Sequence, residues 1–478
     1  MKAQQNIANN FVKKNAKSVI VGLGTTGLSV ARYLQSQNKD FAVVDSRENP
    51  PNAEDLIRDF TDVSYTFGSF NSELLNQAEQ IIVNPGIAIT TPEIAEAKVS
   101  GAEIVGDIEL FTREIKDSKP IVAITGSNGK TTVTMLLDLM AKKSGFKVGT
   151  GGNIGTAALD LLAVKDTELF VLELSSFQLE TTQSLNSISA VILNVSEDHL
   201  DRYDNDLEAY AQSKAVIYKN CQHIIYNRDD EYSTRLAKQQ TGFKSISSFG
   251  LDEPEAGQLG LKIINGTQFL VKGEEALMPV SEIKLPGLHN VSNALASLAL
   301  GEFAGIKMSA MLDVLREYAG MEYRTQWLAE IEGVNWYNDS KGTNVGATLA
   351  ALTGLTGKTV LIAGGQGKGA DFLPLQEAIN KHALAVVLMG EDADKIAAVI
   401  DESVPVVNVN SMQEAVSEAY KLANVSAEQN TNVLLSPACA SFDMFKSYIV
   451  RGEVFTQEVN RLVEQLKTQA GNKGVANG

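Results

Sequence analysis

The chain has 478 residues, 44% of them hydrophobic, and sets 58 Asp and Glu against 41 Lys and Arg for a formal charge of −17. That length has room for about three domains, and the acidic balance argues against broad contact with nucleic acid or anionic lipid, so an anionic ligand must be met by local cations. Two cysteines, Cys221 and Cys439, form no disulfide framework and fit a reducing cytoplasm as small buried side chains; Met1 to Lys17 has no apolar segment of signal-peptide length, and no apolar run approaches a bilayer span.

Ser18 to Gly22 is a β-branched run and predicts a strand, followed by Gly22, Gly24 and Gly27 in a GxGxxG pattern, a helix from Thr26 to Gln37 and a second strand from Phe41 to Asp45. This is a βαβ unit with an acidic residue after its second strand, the shape of a dinucleotide fingerprint. Strand and helix candidates continue to about Gly106. The apolar run Ile121 to Ile124 then leads through Thr125-Gly126-Ser127-Asn128-Gly129-Lys130-Thr131-Thr132 into a helix over Val133 to Lys143. Strand, glycine turn and helix in that order aim backbone N–H groups at one point, where a polyphosphate sits at the positive helix end. Lys130 faces the outer phosphates and Thr131 is placed for magnesium, although Ser127 and Asn128 alone separate the glycines, which makes this a shortened phosphate loop.

Further strands are expected at Phe170 to Glu173 and Ala190 to Asn194, with a helix near Leu207 to Tyr218. Leu285-Pro286-Gly287 introduces an apolar helix through Ala304, and the composition shifts after Gly320. Thr359 to Ala363, Leu384 to Met389 and Val433 to Leu435 are continuous apolar runs, as expected of strands buried on both faces of a parallel sheet. The expected fold is therefore α/β in three domains, two of them Rossmann-like and flanking a central ATPase-like one with a parallel sheet. The expected boundaries are 1–108, 109–320 and 321–478. The polar tail from Lys467 is expected to fray.

Glu173 ends a buried strand, and in an open parallel sheet the carboxyl ends of strands carry the ligand, so this carboxylate is placed to reach a phosphate-bound magnesium ion. Asn194 to Asp201 follows another strand and sets His199, one of four histidines, among carboxylates as a second metal ligand or proton-handling group. Lys214 reads as a solvated helix face. Asn338 to Asn344 lies before a helix over Val345 to Leu352, where it can cap the helix and offer Asp339 and Lys341 to an anion. Gly364 to Gly369, with Lys368, and Ser436 to Asp443 also follow strands, so three loops converge on one edge and suit a small acidic substrate.

The phosphate loop, Gly151-Gly152-Asn153-Ile154-Gly155, Glu173 to Leu179, Asn194 to Asp201, Leu288 to Ala294 and Asp339 to Asn344 together resemble the Mur ligases, ATP-dependent amide-bond synthetases of peptidoglycan precursor assembly. The resemblance runs over essentially the whole chain, with the motifs in family order. Its last-domain blocks look most like the branch that joins UDP-N-acetylmuramoyl-L-alanine to D-glutamate.

The resemblance implies that Gly126, Ser127, Asn128, Gly129, Lys130, Thr131 and Thr132 hold ATP phosphates, with Asn290, Arg324 and Asp339 also on the nucleotide. It puts Thr131 and Glu173 on one magnesium ion and His199 on a second, toward which Lys214 falls at the place of a carbamylated lysine. Thr25, Thr26, Asp45, Ser46, Arg47, Asn84 and Gly86 lie where the UDP end is held, and Asn153, Ser175 and Gln178 along the muramoyl arm. Thr343, Lys368, Ser441 and Phe442 match a D-glutamate pocket. Lys130, Glu173, His199, Lys214 and Lys341 are the implied catalytic set, in a cytoplasmic enzyme expected to act as a monomer. Two positions depart from the pattern: Tyr323 where family members often have His, and Gln366 where many have Asp.

A nicotinamide-dependent dehydrogenase built on Gly22 to Gly27 leaves the phosphate loop, Glu173 and His199 unexplained. A nucleotide-gated switch would hydrolyse ATP with neither substrate present. A folate polyglutamylating enzyme generally lacks a first domain like residues 1 to 108.

Overall fold

The computed structural model describes residues 10–11, 17–116, 118–198, 200–320, 322–425 and 431–475. These build three sheets, each flanked by helices. The first has six strands, with Ser18–Val21 between Phe41–Asp45 and Gln80–Val83, all parallel apart from the edge pair Asn10–Phe11 with Ser64–Phe67. Gly27 stands where a Cβ would come 2.0 Å from the Gly22 carbonyl oxygen, so glycine is what lets the Thr25–Ser36 helix press onto its strand.

The nine-stranded central sheet holds Ile121–Thr125 between Ser189–Ile192 and Leu169–Glu173, all parallel, and ends in an antiparallel meander of Leu259–Ile264, Thr267–Lys272 and Glu275–Pro279. Chain order reverses direction at Ile121–Thr125: the next two strands lie on one side of it and Ser189–Ile192 on the other. That is the switch point at which open α/β sheets bind ligands. In the third sheet Val334–Asn338, Asn432–Leu435, Thr359–Ala363 and Ala383–Leu388 run parallel, so the loops that follow them share one edge.

The packing is less symmetrical than the topology. One continuous apolar cluster includes Leu34 and Phe60 of the first sheet's layers together with Phe111, Phe170 and Ile192 around the central one. The third sheet buries its two faces in separate clusters, one around Trp336 and Phe455 and the other around Leu352 and Phe372. Across the first boundary Arg32 also makes a two-pronged ion pair with Asp160, at 3.1 and 2.6 Å.

Two expectations need correction. Residues 467–475 are not frayed, because the helix Tyr448–Val475 runs through them. Phe455 and Val459 are buried on the third sheet and Leu462, Val463 and Leu466 pack against the same cluster, so a long anchored helix propagates into polar sequence. Lys214 is not on a solvated face: it is 1% exposed, on the buried side of Leu207–Ala215 with Tyr210 and Ala211. The cysteines are buried as expected. No helix among the described residues is long and apolar enough to cross a membrane.

Candidate active site

The carboxyl ends of three adjacent central strands meet at the glycine turn. Gly126 and Gly129 have φ of 153° and 83°, and a Cβ on Gly129 would lie 2.4 Å from Asn293 Oδ1, so the turn needs glycine for both conformation and space. Asn194, from the neighbouring strand end, fixes the turn: its Oδ1 accepts from Asn128 N at 2.8 Å and its Nδ2 donates to Asn128 O at 3.1 Å. Ser127 Oγ donates to Ser196 O and accepts from Ser196 N, both at 2.9 Å. The helix Lys130–Lys143 starts immediately afterwards, and its first-turn N–H groups have no partner within the helix.

Two lysines converge beneath this turn. Lys130 Nζ donates to Gly126 O at 2.7 Å and Ser127 O at 2.8 Å, and Lys214 Nζ donates to Gly126 O at 3.2 Å. Burial pushes the Lys130 ammonium below its ordinary pKa; Glu173 and Asp198 oppose the shift and Arg324 adds to it. Burial, reinforced by Lys130, pushes Lys214 well below the usual lysine range.

Glu173 is 2% exposed. Its Oε1 accepts from Asn153 Nδ2 at 2.9 Å, while Oε2 is buried with no hydrogen-bond partner among the described residues. An unsatisfied carboxylate oxygen beside a phosphate turn fits a divalent cation. Among the described residues no three His, Cys, Asp or Glu side chains gather as a metal cluster, so such an ion would draw further ligands from phosphate and water. His199 lies outside the described residues.

The third sheet closes over the turn. Arg324 Nη2 donates to Thr131 Oγ1 at 2.8 Å. A cavity of about 150 Å³ lies between the two sheets, lined by Asn128, Asn290, Asn293, Arg324, Asp339 and Lys341 as well as the apolar Leu193, Phe249 and Leu285. Asn290 Nδ2 donates to Pro286 O at 2.7 Å, and its Oδ1 accepts from Asn293 at 3.1 Å. Asp339 faces inward: Oδ1 accepts from Thr325 N at 3.0 Å and Oδ2 from Ser436 Oγ at 2.7 Å. Burial pushes its carboxyl up to about 6. Burial, with Arg324 close by, lowers the Lys341 ammonium, whose Nζ stands 4.2 Å over the Tyr448 ring. The expected cap is present, with Asn344 Oδ1 accepting from Ala347 N at 2.8 Å.

The three loops of the third sheet do converge. Gln366 and Ala440 exchange backbone hydrogen bonds of 2.9 Å in both directions, and Ala438 N donates to Gly342 O at 2.9 Å. On this rim Lys368 Nζ lies 5.3 Å over the Phe442 ring, which is 64% exposed, and Ser441 is buried beside it. Thr343 sits on the adjoining loop.

At the first sheet, Thr25 and Thr26 open a helix directly after Gly24, where a Cβ would lie 3.2 Å from Asn84 Nδ2, and Asn84 Oδ1 accepts from Gly86 N at 3.3 Å. Asp45 holds this corner together: Oδ2 accepts from Leu23 N at 2.7 Å and Arg47 Nη2 at 2.7 Å, and Oδ1 from Arg47 N at 2.9 Å and Arg47 Nε at 2.8 Å. Asp45 thus fixes the positions of Leu23 and Arg47 at this corner. Ser46 is exposed next to it. Between the first and central sheets, Ser175 and Gln178 form a capping box at the start of Ser176–Glu180.

Asn293 and Tyr210 also belong to the site, although neither stands out in the sequence. Asn293 follows Asn290 by three residues on one helix face, a spacing that signals a pair. Tyr210 precedes Lys214 by four, and its hydroxyl lies 3.2 Å from Ser127 Oγ.

A cavity between a phosphate-turn sheet and a further sheet that closes over it, in a chain of three α/β units, defines an ATP-dependent ligase architecture. Family models agree: residues 16–106 match "Mur ligase MurD-like, N-terminal domain", 124–301 "Mur ligase middle domain" and 323–439 "Mur ligase, glutamate ligase domain". The chain belongs to the Mur ligase family. It is 48% identical over 450 residues to a UDP-N-acetylmuramoylalanine--D-glutamate ligase of Nitrosococcus oceani, covering 94% of this chain and 97% of that one. It is 47% identical to the Legionella pneumophila (strain Paris) enzyme of the same name, over 93% and 99% of the two chains. Among solved structures, a UDP-N-acetylmuramate-alanine ligase of Thermotoga maritima superposes with a TM-score of 0.53 at 20% identity, covering 93% of this chain and 99% of that one, a likeness of fold.

Proposed function

We propose that the chain is the ATP-dependent ligase that joins D-glutamate to UDP-N-acetylmuramoyl-L-alanine, in cytoplasmic peptidoglycan precursor synthesis. The observation that carries the chemistry is the convergence of Lys130, Lys214 and the unsatisfied Glu173 oxygen on one glycine turn. The relatives' names carry the choice of substrates.

In this reading residues 1–108 hold the UDP end, with Thr25, Thr26, Asp45, Ser46, Arg47, Asn84 and Gly86 around it. Asn153, Ser175 and Gln178 line the path of the muramoyl arm. Residues 109–320 bind ATP through Gly126 to Thr132 and Asn290, and residues 321–478 supply Arg324 and Asp339 to the nucleotide. Thr343, Lys368, Ser441 and Phe442 receive D-glutamate, Lys368 offering the cation its carboxylates need. The L-alanine carboxylate attacks the γ-phosphorus, giving an acyl phosphate and ADP. The amine of D-glutamate then adds to the acyl carbonyl, loses a proton and expels phosphate.

Each step brings anions together inside an acidic protein. Lys130 and Lys341 stabilise the charge that develops on the transferred group, in a cleft closed against water. Magnesium, when bound, neutralises phosphate charge; Thr131 and Glu173 would hold one ion, and His199 with a carbamylated Lys214 a second. The depressed pKa of Lys214 favours that modification, since a neutral amine is what adds to carbon dioxide.

The test is phosphate release with ATP, magnesium and UDP-N-acetylmuramoyl-L-alanine, supplied with D-glutamate, L-glutamate or L-alanine. Release that requires both the UDP-substrate and D-glutamate is expected. Release with neither substrate, or with another amino acid, overturns the assignment.

A further inference from the structure

Arg202 lies on the short turn Leu200–Tyr203 beside the central sheet, yet its guanidinium grips the first sheet's loop. Nη2 donates to Ile87 O at 2.9 Å and Nη1 to Pro85 O at 3.5 Å; Nη2 also donates to Glu180 Oε2 at 2.9 Å. The plane lies over Phe177, with Cζ 4.6 Å from the ring centroid, and the Arg202 and Glu180 side chains are each 13% exposed. A planar, largely desolvated guanidinium holding two carbonyls, a carboxylate and a ring does what lysine does not.

The loop it grips spans 84–87 and leans on the glycine turn of the first sheet. Asn84 N donates to Val21 O and Ile87 N to Asn84 O, each at 2.9 Å, and a Cβ on Gly22 would lie 2.7 Å from Ile87 Cδ1. On its other side Arg202 begins a row of rings. Phe177 stacks on Tyr203 with centroids 6.2 Å apart and Tyr203 meets Tyr210 at 5.3 Å. Lys214 Nζ stands 4.3 Å over the Tyr210 ring, whose hydroxyl touches Ser127 of the phosphate turn. The row is continuous from a loop of the first sheet to the transfer centre.

We propose that Arg202 is a positioning residue that couples the 84–87 loop to Lys214 and the phosphate turn through Phe177, Tyr203 and Tyr210, so that seating the UDP end sets the geometry at the transfer end. The proposal rests on the ligase reading above. Linkage makes the coupling reciprocal: an ATP analogue tightens the UDP-substrate by the factor by which that substrate tightens the analogue, about fivefold to 150-fold for couplings of typical size.

The experiment measures, by calorimetry on the full chain with magnesium, the dissociation constant of UDP-N-acetylmuramoyl-L-alanine with and without a non-hydrolysable ATP analogue. In the unaltered protein the ratio of the two constants is expected to exceed two, and in Arg202→Ala to fall to about one. Arg202→Lys, which keeps the charge but not the fork, is expected to behave like the alanine variant. Phe177→Leu interrupts the row while leaving both carbonyl contacts in place, and serves if Arg202→Ala does not fold. A ratio near one in the unaltered protein, or an unchanged ratio in a folded Arg202→Ala or Phe177→Leu variant, overturns the proposal. Failure of the ligase reading itself shows separately, as absence of phosphate release in the unaltered protein.

Discussion

Arg324 donates from Nη2 to Thr131 Oγ1 at 2.8 Å, a contact that joins the third sheet to the phosphate turn of the central one. The same hydroxyl is the one proposed for magnesium, so nucleotide and metal have to take this oxygen from Arg324 and leave the guanidinium facing phosphate instead. Arg324→Ala should therefore weaken ATP binding and lower turnover by about tenfold or more, the effect expected on removing a charge-assisted contact. Fluorescent-nucleotide titration together with phosphate release checks this; unchanged affinity and turnover would exclude Arg324 from the nucleotide site.

Lys130→Ala should lower turnover by on the order of 10²-fold or more, because it removes a cation fixed where charge develops. Steady-state phosphate release at saturating magnesium measures the loss. Near-normal turnover would mean that the triphosphate docks elsewhere.

Lys214→Ala should abolish activity, and short carboxylic acids added at high concentration should restore part of it by occupying the vacated space as a carboxylate. Tyr210, whose ring supports Lys214, and Ser127 are untouched by this change. Absence of rescue in a folded variant would argue against carbamylation while leaving the ligase reaction standing.

Asp107 is 2% exposed and burial pushes its carboxyl up to about 6, although Gln178 donates to its Oδ2 at 3.3 Å. The folded state therefore holds this proton more tightly than the unfolded chain does. Stability from this group is present below about pH 4 and is lost as pH rises through about 6, by on the order of 1–3 kcal/mol. Asp107→Asn should remove that part of the pH dependence and stabilise the protein at pH 7 to 8. Urea unfolding at pH 4, 5, 6 and 8 tests it; identical profiles for the two proteins would refute the assignment.

The parts of the site that sequence made legible are those built from local backbone. The phosphate turn follows from glycine spacing between a strand and a helix, and Glu173 from its place at the end of a buried run. Strand limits moved by a residue or two: Leu169–Glu173 starts one residue before the expected Phe170, and Ser189–Ile192 stops two short of Asn194. What stayed hidden depends on neighbours remote in the chain. The burial of Lys214 comes from packing of Leu207–Ala215 against Ser176–Glu180 and Glu231–Lys238, with Lys214 reaching Gly126 O, and lysine in a short helix carries no local mark of it. The approach of Arg324 to Thr131 spans 193 residues and needs two sheets folded and docked. The helical tail was missed because its composition signals fraying, whereas the anchor that holds it, Phe455 and Val459, lies earlier in the same helix.

The unequal sharing of apolar clusters has a mechanical consequence. The first and central sheets draw on one common interior and are pinned at their border by Arg32 and Asp160, so separating them would expose oil to water. The third sheet keeps its apolar clusters to itself, and it meets the central one through the bond between Arg324 and Thr131 and through the helix Val345–Gly354, which packs on Leu288–Phe303. A seam without a common interior exposes less oil when it parts than the border between the first two sheets does, so a swing of the third sheet away from the other two is the motion this packing favours.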